Sequence, residues 1–151
     1  MLPHGGKLIE RIVSFKEKQE LLKNAHEFKT ISLNEEQIKD IKNIARGVYS
    51  PLKGFLKEDD FGKVVTEMRL SDGTVWPIPI VLDISKKEQK RIKKEKDILL
   101  INSDSKPVAL LENIQSKNAL VDGMYKKRAK AKRFRSVVYR SFASRQNHYC
   151  Q

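Results

Sequence analysis

Thr74-Val75-Trp76-Pro77-Ile78-Pro79-Ile80-Val81-Leu82-Asp83-Ile84 sets two prolines inside an otherwise apolar run. Apolar and β-branched residues crowd it, so it reads as a strand, yet Pro77 and Pro79 each lack the amide that a central strand would donate. The segment is therefore expected at a sheet edge or kinked across a barrel corner. Just before it, Ser71-Asp72-Gly73 reads as a tight turn.

Toward the N-terminus the pattern turns helical. Glu58 to Met68 places Phe61, Val64, Val65 and Met68 on one face, with Asp59 and Asp60 in the first turn, where carboxylates suit the positive end of the helix dipole. Between Val48 and Phe55, Pro51 and Gly54 bracket an apolar segment that must turn. Asn34 with Gln37 three residues on forms a capping box for a helix whose stripe is Ile38, Ile41, Ile44 and Ala45, and Gly47 supplies a left-handed stop. A first amphipathic helix is expected from Phe15 to Phe28, with Leu21, Leu22, Ala25 and Phe28 apolar.

Toward the C-terminus, residues 85–97 are almost all Lys, Glu, Arg and Gln. They predict a short solvated helix or linker, with Ser85 as cap and Ile92 as its only large apolar residue. Asp97 to Ile101 and Pro107 to Leu111 are strand-like and joined by Asn102-Ser103-Asp104-Ser105, which predicts a β-hairpin. Helices come first, strands later and no βαβ alternation appears, so the fold class is α+β with a mostly antiparallel sheet.

A chain of 151 residues accommodates one domain, and 39% hydrophobic with 33% charged residues excludes collagen-like, mucin-like and fully disordered classes. No apolar run reaches the roughly 18 to 20 residues that cross a bilayer, and the N-terminus lacks a cationic-then-apolar signal, so a cytoplasmic location without membrane contact is expected. Cys150 is the single cysteine, and no Cys and His residues stand at zinc-ligand spacing; no metal site is expected.

The formal charge of +12 is unevenly spread. Residues 1–115 hold 21 Lys and Arg against 18 Asp and Glu, while residues 116–151 hold 10 against 1. The second stretch also contains no Ile and no Glu, whereas the first has 13 Ile. The chain is accordingly divided into a nearly balanced domain, 1–115, and a basic tail, 116–151, helical or disordered. Within the tail, Tyr125 to Arg140 interleaves Lys126, Lys127, Arg128, Lys130, Lys132, Arg133, Arg135 and Arg140 with Tyr125, Phe134 and Tyr139. That pattern fits an RNA-binding arm whose affinity falls steeply with salt.

Three residues outside the tail invite a chemical reading. His4 beside Gly5 and Gly6 could cradle a phosphate, but no P-loop lysine accompanies it, so packing of the N-terminal segment is the better reading. Ser50 has no Asp-His pattern to activate it, which leaves core and turn duty. Trp76 could stack on a base, but its apolar flanks point to the core or a domain interface.

Four landmarks, taken together, resemble one family. Pro3-His4-Gly5-Gly6, Ser50-Pro51-Leu52 with Gly54-Phe55, Arg69-Leu70 with Asp72-Gly73, and Trp76-Pro77-Ile78-Pro79-Ile80 occur in the order found in the N-terminal domain of sulfate adenylyltransferases, also called ATP sulfurylases. The hairpin from Leu99 to Glu112 is similar too, so the resemblance covers about residues 1–114. It implies a PUA-like pseudo-β-barrel, and a family reaction that joins sulfate to the α-phosphoryl group of ATP, releasing pyrophosphate and adenosine 5′-phosphosulfate. A PUA-like fold also strengthens the RNA-binding alternative, since some such domains bind RNA.

The family's catalytic motifs, Gln-x-Arg-Asn-Pro-x-His and a later Gly-x-x-His, are absent, and Ser144-Arg145-Gln146-Asn147-His148 has the letters in the wrong order. No catalytic, cofactor-binding or metal residue is therefore carried over, and the chain alone is expected to be inactive. Lys96 stands where the family often has glycine. Beyond Ser116 the family landmarks stop, which a genuine tail or a reading frame shifted near that residue would both produce. The resemblance implies a catalytic sulfurylase domain or subunit as partner, and a barrel lacking its closing segment would leave strand edges open to self-association.

Overall fold

The computed structural model describes residues 2–114 and the strand at 131–136, with backbone alone for 113–114 and 131–136. In chain order it contains α1 (Phe15–Lys23), a 3-10 turn (Ala25–Glu27), β1 (Lys29–Ser32), α2 (Glu35–Ala45), α3 (Glu58–Glu67), α4 (Lys86–Ile92), β2 (Ile98–Ile101), β3 (Pro107–Ile114) and β4 (Ala131–Ser136). The α+β class is borne out.

The helices are short, and three of them begin on the same device. Ser14 with Glu17, Asn34 with Gln37, and Ser85 with Glu88 each form a reciprocal capping box that satisfies free amides at the start of α1, α2 and α4. Gln37 works twice: its Oε1 accepts from the Asn34 amide at 3.0 Å, and its Nε2 donates to the Asp83 carbonyl at 3.0 Å. The cap thereby ties α2 to the proline-rich segment. α2 then ends at Arg46, and Gly47 takes φ +75°, the left-handed stop expected of it.

Strands β1 to β4 form one sheet in sequence order. The β2–β3 hairpin pairs Ile98 with Leu111, Leu99 with Leu110 and Leu100 with Ala109, as the turn residues predicted. β1 was not foreseen; it lies parallel to β2, with Ile31 opposite Leu100, while β2–β3 and β3–β4 are antiparallel, so the sheet is mostly antiparallel, as expected, with one parallel pair. Residues alternate between faces along these strands. Ile31, Ile98, Leu100, Ala109 and Leu111 join the main core with Ile41, Ile44, Phe61, Val64 and Trp76, whereas Leu99 and Leu110 pack on the other side against Leu21, Ala25 and Phe28. The hairpin is therefore buried on both faces, and a slip of one residue would exchange them.

Three sequence expectations are corrected. Thr74 to Ile84 is not a continuous strand: it makes isolated bridges only, at Val75, which pairs with Arg69, and at Asp83. Trp76 is buried and Ile78, between the two prolines, is exposed, but from Ile80 the segment nevertheless keeps a two-residue burial rhythm, with Ile80, Leu82 and Ile84 inward. It gives the alternation of a strand without the ladder, because Pro77 and Pro79 cannot donate and the available bonds go elsewhere, Leu56 N–H to Ile80 O and Trp76 N–H to Met68 O. The first helix stops at Lys23, with Phe28 extended, and Leu22 is exposed. On α3 only Phe61 and Val64 are buried, while Met68 turns left-handed at φ 54° and is exposed with Val65.

Within the stretch expected to be a helical or disordered tail, Ala131–Ser136 is a strand antiparallel to β3, with Arg133 opposite Glu112. The rest of the basic segment, the string Ser144 to His148 and Cys150 lie outside the described residues.

Candidate functional site

The four landmark motifs, far apart in the chain, meet at one joint. His4 Nε2 donates to the Val75 carbonyl at 2.7 Å, and its ring lies 6.0 Å from that of Trp76. Trp76 also meets Tyr49 edge-on at 6.1 Å. A Cβ on Gly5 would stand 2.9 Å from the Pro51 ring, so the N-terminal segment can lie this close to the Ser50–Pro51 turn only with glycine there. Arg69 bridges Val75 and its Nη1 donates to the Gly73 carbonyl at 2.9 Å. The expected tight turn is closed by Gly73 N–H to Leu70 O at 2.9 Å and by Thr74 N–H to Asp72 Oδ1 at 2.9 Å.

The singled-out residues therefore serve the joint. Ser50, 2% exposed, donates its hydroxyl to the Gly47 carbonyl at 2.6 Å and accepts the Ile9 amide at 3.0 Å, which occupies the oxygen a nucleophile would need free. Trp76 is 9% exposed and belongs to the core. Its Nε1 has no hydrogen-bond partner among the described residues. Tyr49 donates its hydroxyl to Asp40 Oδ1 at 3.2 Å. Burial pushes the Asp40 carboxyl above its ordinary value; the Tyr49 bond opposes the shift and the nearby Glu36 charge adds to it. Asp72, exposed, is held below its ordinary value, first by the amide and then by the hydroxyl of Thr74.

Beside this joint lies a cavity of about 330 Å³ that the sequence did not announce. The Pro51 to Lys57 loop forms one wall, Asp60 and the Leu70-Ser71-Asp72 turn another, and Leu111 of β3 and Arg11 complete it. Asp60 Oδ1 accepts the Ser71 amide at 2.8 Å, which fixes α3 to the turn. Arg11 is held by its backbone, whose amide donates to the Ala45 carbonyl at 2.9 Å, while its side-chain Nε is buried without a partner among the described residues. No periodicity or motif marks Arg11 in the sequence; only the fold brings it to the landmark turns. Among the described residues no group of three or more His, Cys, Asp or Glu could hold a metal ion, and no helix is long and apolar enough to cross a membrane.

A family model described as a PUA-like domain matches residues 1–135. A sulfate adenylyltransferase of Halothermothrix orenii is 46% identical over 110 residues, which are 72% of this chain and 29% of the relative. The sulfate adenylyltransferase of Pyrococcus abyssi is 46% identical over 107 residues, 71% of this chain and 27% of the relative. That of Microcystis aeruginosa is 42% identical over 113 residues, 75% and 29% respectively. The chain thus spans less than a third of the length of these curated relatives. A solved structure, a hexameric APS kinase from Thiobacillus denitrificans, superposes with a TM-score of 0.73 at 21% identity, covering 95% of this chain and 28% of that one; the likeness is one of fold. The resemblance read from the four landmarks is borne out, and the RNA-binding alternative gains no support.

Proposed function

Because the chain belongs to the PUA-like domain family, we propose that it serves in the cytoplasm as the non-catalytic scaffold domain of a sulfate adenylyltransferase, acting beside a catalytic domain that carries the chemistry. The observation that supports this reading is the joint itself. All four landmarks shared with the sulfate adenylyltransferases are engaged in turn closure, core packing and backbone hydrogen bonds, from His4 on Val75 to Leu56 on Ile80. Residues used in this way build a rigid support and leave no activated nucleophile or acid–base pair among them. The partner is then a catalytic sulfurylase domain, with assembly into larger complexes a further part of the same reading.

The test is a domain exchange. Residues 1–114 replace the matching 110-residue part of the Halothermothrix orenii enzyme, and sulfate-dependent ATP–pyrophosphate exchange is measured for the chimera and for the isolated chain. The chimera is expected to retain exchange within about tenfold of its parent, a change of roughly 1.4 kcal/mol in the barrier, and the isolated chain to show none. Sulfate-dependent exchange by the isolated chain overturns the scaffold reading, as does a soluble, folded chimera without activity.

A further inference from the structure

The cavity beside the joint has the makings of a ligand site. Arg11, Lys53 and Lys57 line it together with Asp60 and Asp72, so cations outnumber carboxylates. The carboxylates are already engaged: Asp60 holds the Ser71 amide at 2.8 Å and Asp72 the Thr74 amide at 2.9 Å. Arg11 differs, because its buried Nε finds no acceptor among the described residues. A buried guanidinium N–H without an acceptor is costly, and its planar fork fits the two oxygens of a carboxylate or phosphate. The remaining wall is apolar, with Leu52, Leu56, Leu70 and Leu111 buried. At about 330 Å³ the cavity falls within the size range of small-molecule sites and exceeds what a single inorganic anion fills.

We propose that this cavity binds a small organic anion, with its carboxylate or phosphate held by Arg11, Lys53 and Lys57 and its apolar body against the leucine wall. The position gives such binding a consequence. The walls are the Pro51 to Lys57 loop and the Leu70 to Asp72 turn, so an occupant would bridge two of the landmark segments and stiffen the joint they form.

The experiment is a titration of the full ¹⁵N-labelled chain with benzoate, phenyl phosphate and the neutral benzyl alcohol at constant ionic strength, following amide shifts. Benzoate or phenyl phosphate is expected to give saturable shifts at Gly54, Phe55, Ser71 and Asp72, and benzyl alcohol none. Arg11→Gln is expected to weaken binding about tenfold or more, the scale of a charge-assisted hydrogen bond. Arg11→Lys keeps the charge and an aliphatic stem, so it serves as second variant should Arg11→Gln fail to fold, and is expected to lose about fivefold because an ammonium lacks the bidentate fork. Absence of saturable shifts for both anions overturns the proposal. So does binding that is unchanged in the folded Arg11 variant, or that benzyl alcohol reproduces.

Discussion

Replacing Ser50 with alanine tests the joint at its most buried polar group. The hydroxyl is 2% exposed and makes two bonds, donating to Gly47 O at 2.6 Å and accepting Ile9 N–H at 3.0 Å. The two losses are unequal. The Gly47 carbonyl also accepts the Ser50 backbone amide at 3.0 Å and so keeps a partner, whereas the Ile9 amide loses its acceptor in a partly buried position. One ordinary bond is worth about 1 kcal/mol, and a stranded buried donor costs about 1–3 kcal/mol. Ser50→Ala should therefore destabilise the domain by about 2–3 kcal/mol, a large share of the roughly 5–15 kcal/mol that holds a typical domain together. In urea, with a slope of about 1–2 kcal/mol/M, the midpoint read by circular dichroism should fall by about 1–3 M without a change of slope. Ser71→Ala is the control, since Ser71 is exposed and its backbone amide, not its hydroxyl, binds Asp60; its midpoint should stay within about 0.3 M of the parent. A Ser50→Ala midpoint equally close to the parent would refute the assignment of Ser50 to the joint.

Two glycines separate strain from collision. Gly47 has φ +75°, and a Cβ there would stand 2.7 Å from Leu8 Cδ1 and 2.9 Å from the Ile9 carbonyl; Gly73 has φ +88° and open space around it. Gly73→Ala should cost about 1 kcal/mol from left-handed strain alone, and Gly47→Ala at least about 2 kcal/mol, so equal urea midpoints would contradict the contact at Gly47. Asp72 gives the pH dependence. Its folded pKa lies below the ordinary 3.8, so its contribution is present above that value and disappears as pH falls through the lowered one. An NMR titration should find its carboxyl midpoint below 3.8, and Asp72→Asn should flatten the acid limb of the stability profile; a midpoint at or above 3.8 contradicts the Thr74 bonds.

Local chemistry was legible where a short pattern has one physical solution. Asn34 with Gln37, Gly47 and the Asn102 to Ser105 turn all sit as the sequence predicts. Ser14 with Glu17 follows the same rule and gives the true start of α1, which apolar spacing alone extended too far toward Phe28. The proline-rich segment misled because burial alternation, kept from Ile80 to Ile84, and ladder pairing, which Pro77 and Pro79 cannot support, are separate properties. β1 was missed because a four-residue strand with Ile31 as its one buried residue has too little pattern, and its stability comes from β2, nearly 70 residues later, in parallel register from Lys29↔Ile98. The joint was legible as four motifs but not as one place. The cavity was not legible at all, since a cavity is a relation among Arg11, the loop and the turn that no one of those segments encodes.

Trp76 is the chain's single tryptophan, and it stands at the centre of the joint, between His4 and Tyr49. The protein thus carries a built-in optical gauge of whether its landmark segments are assembled. Indole emission shifts toward longer wavelength as water reaches the ring, so loosening of the N-terminal segment, seating of an anion against the Pro51 to Lys57 loop, or docking of a catalytic domain nearby can each be followed in unlabelled protein.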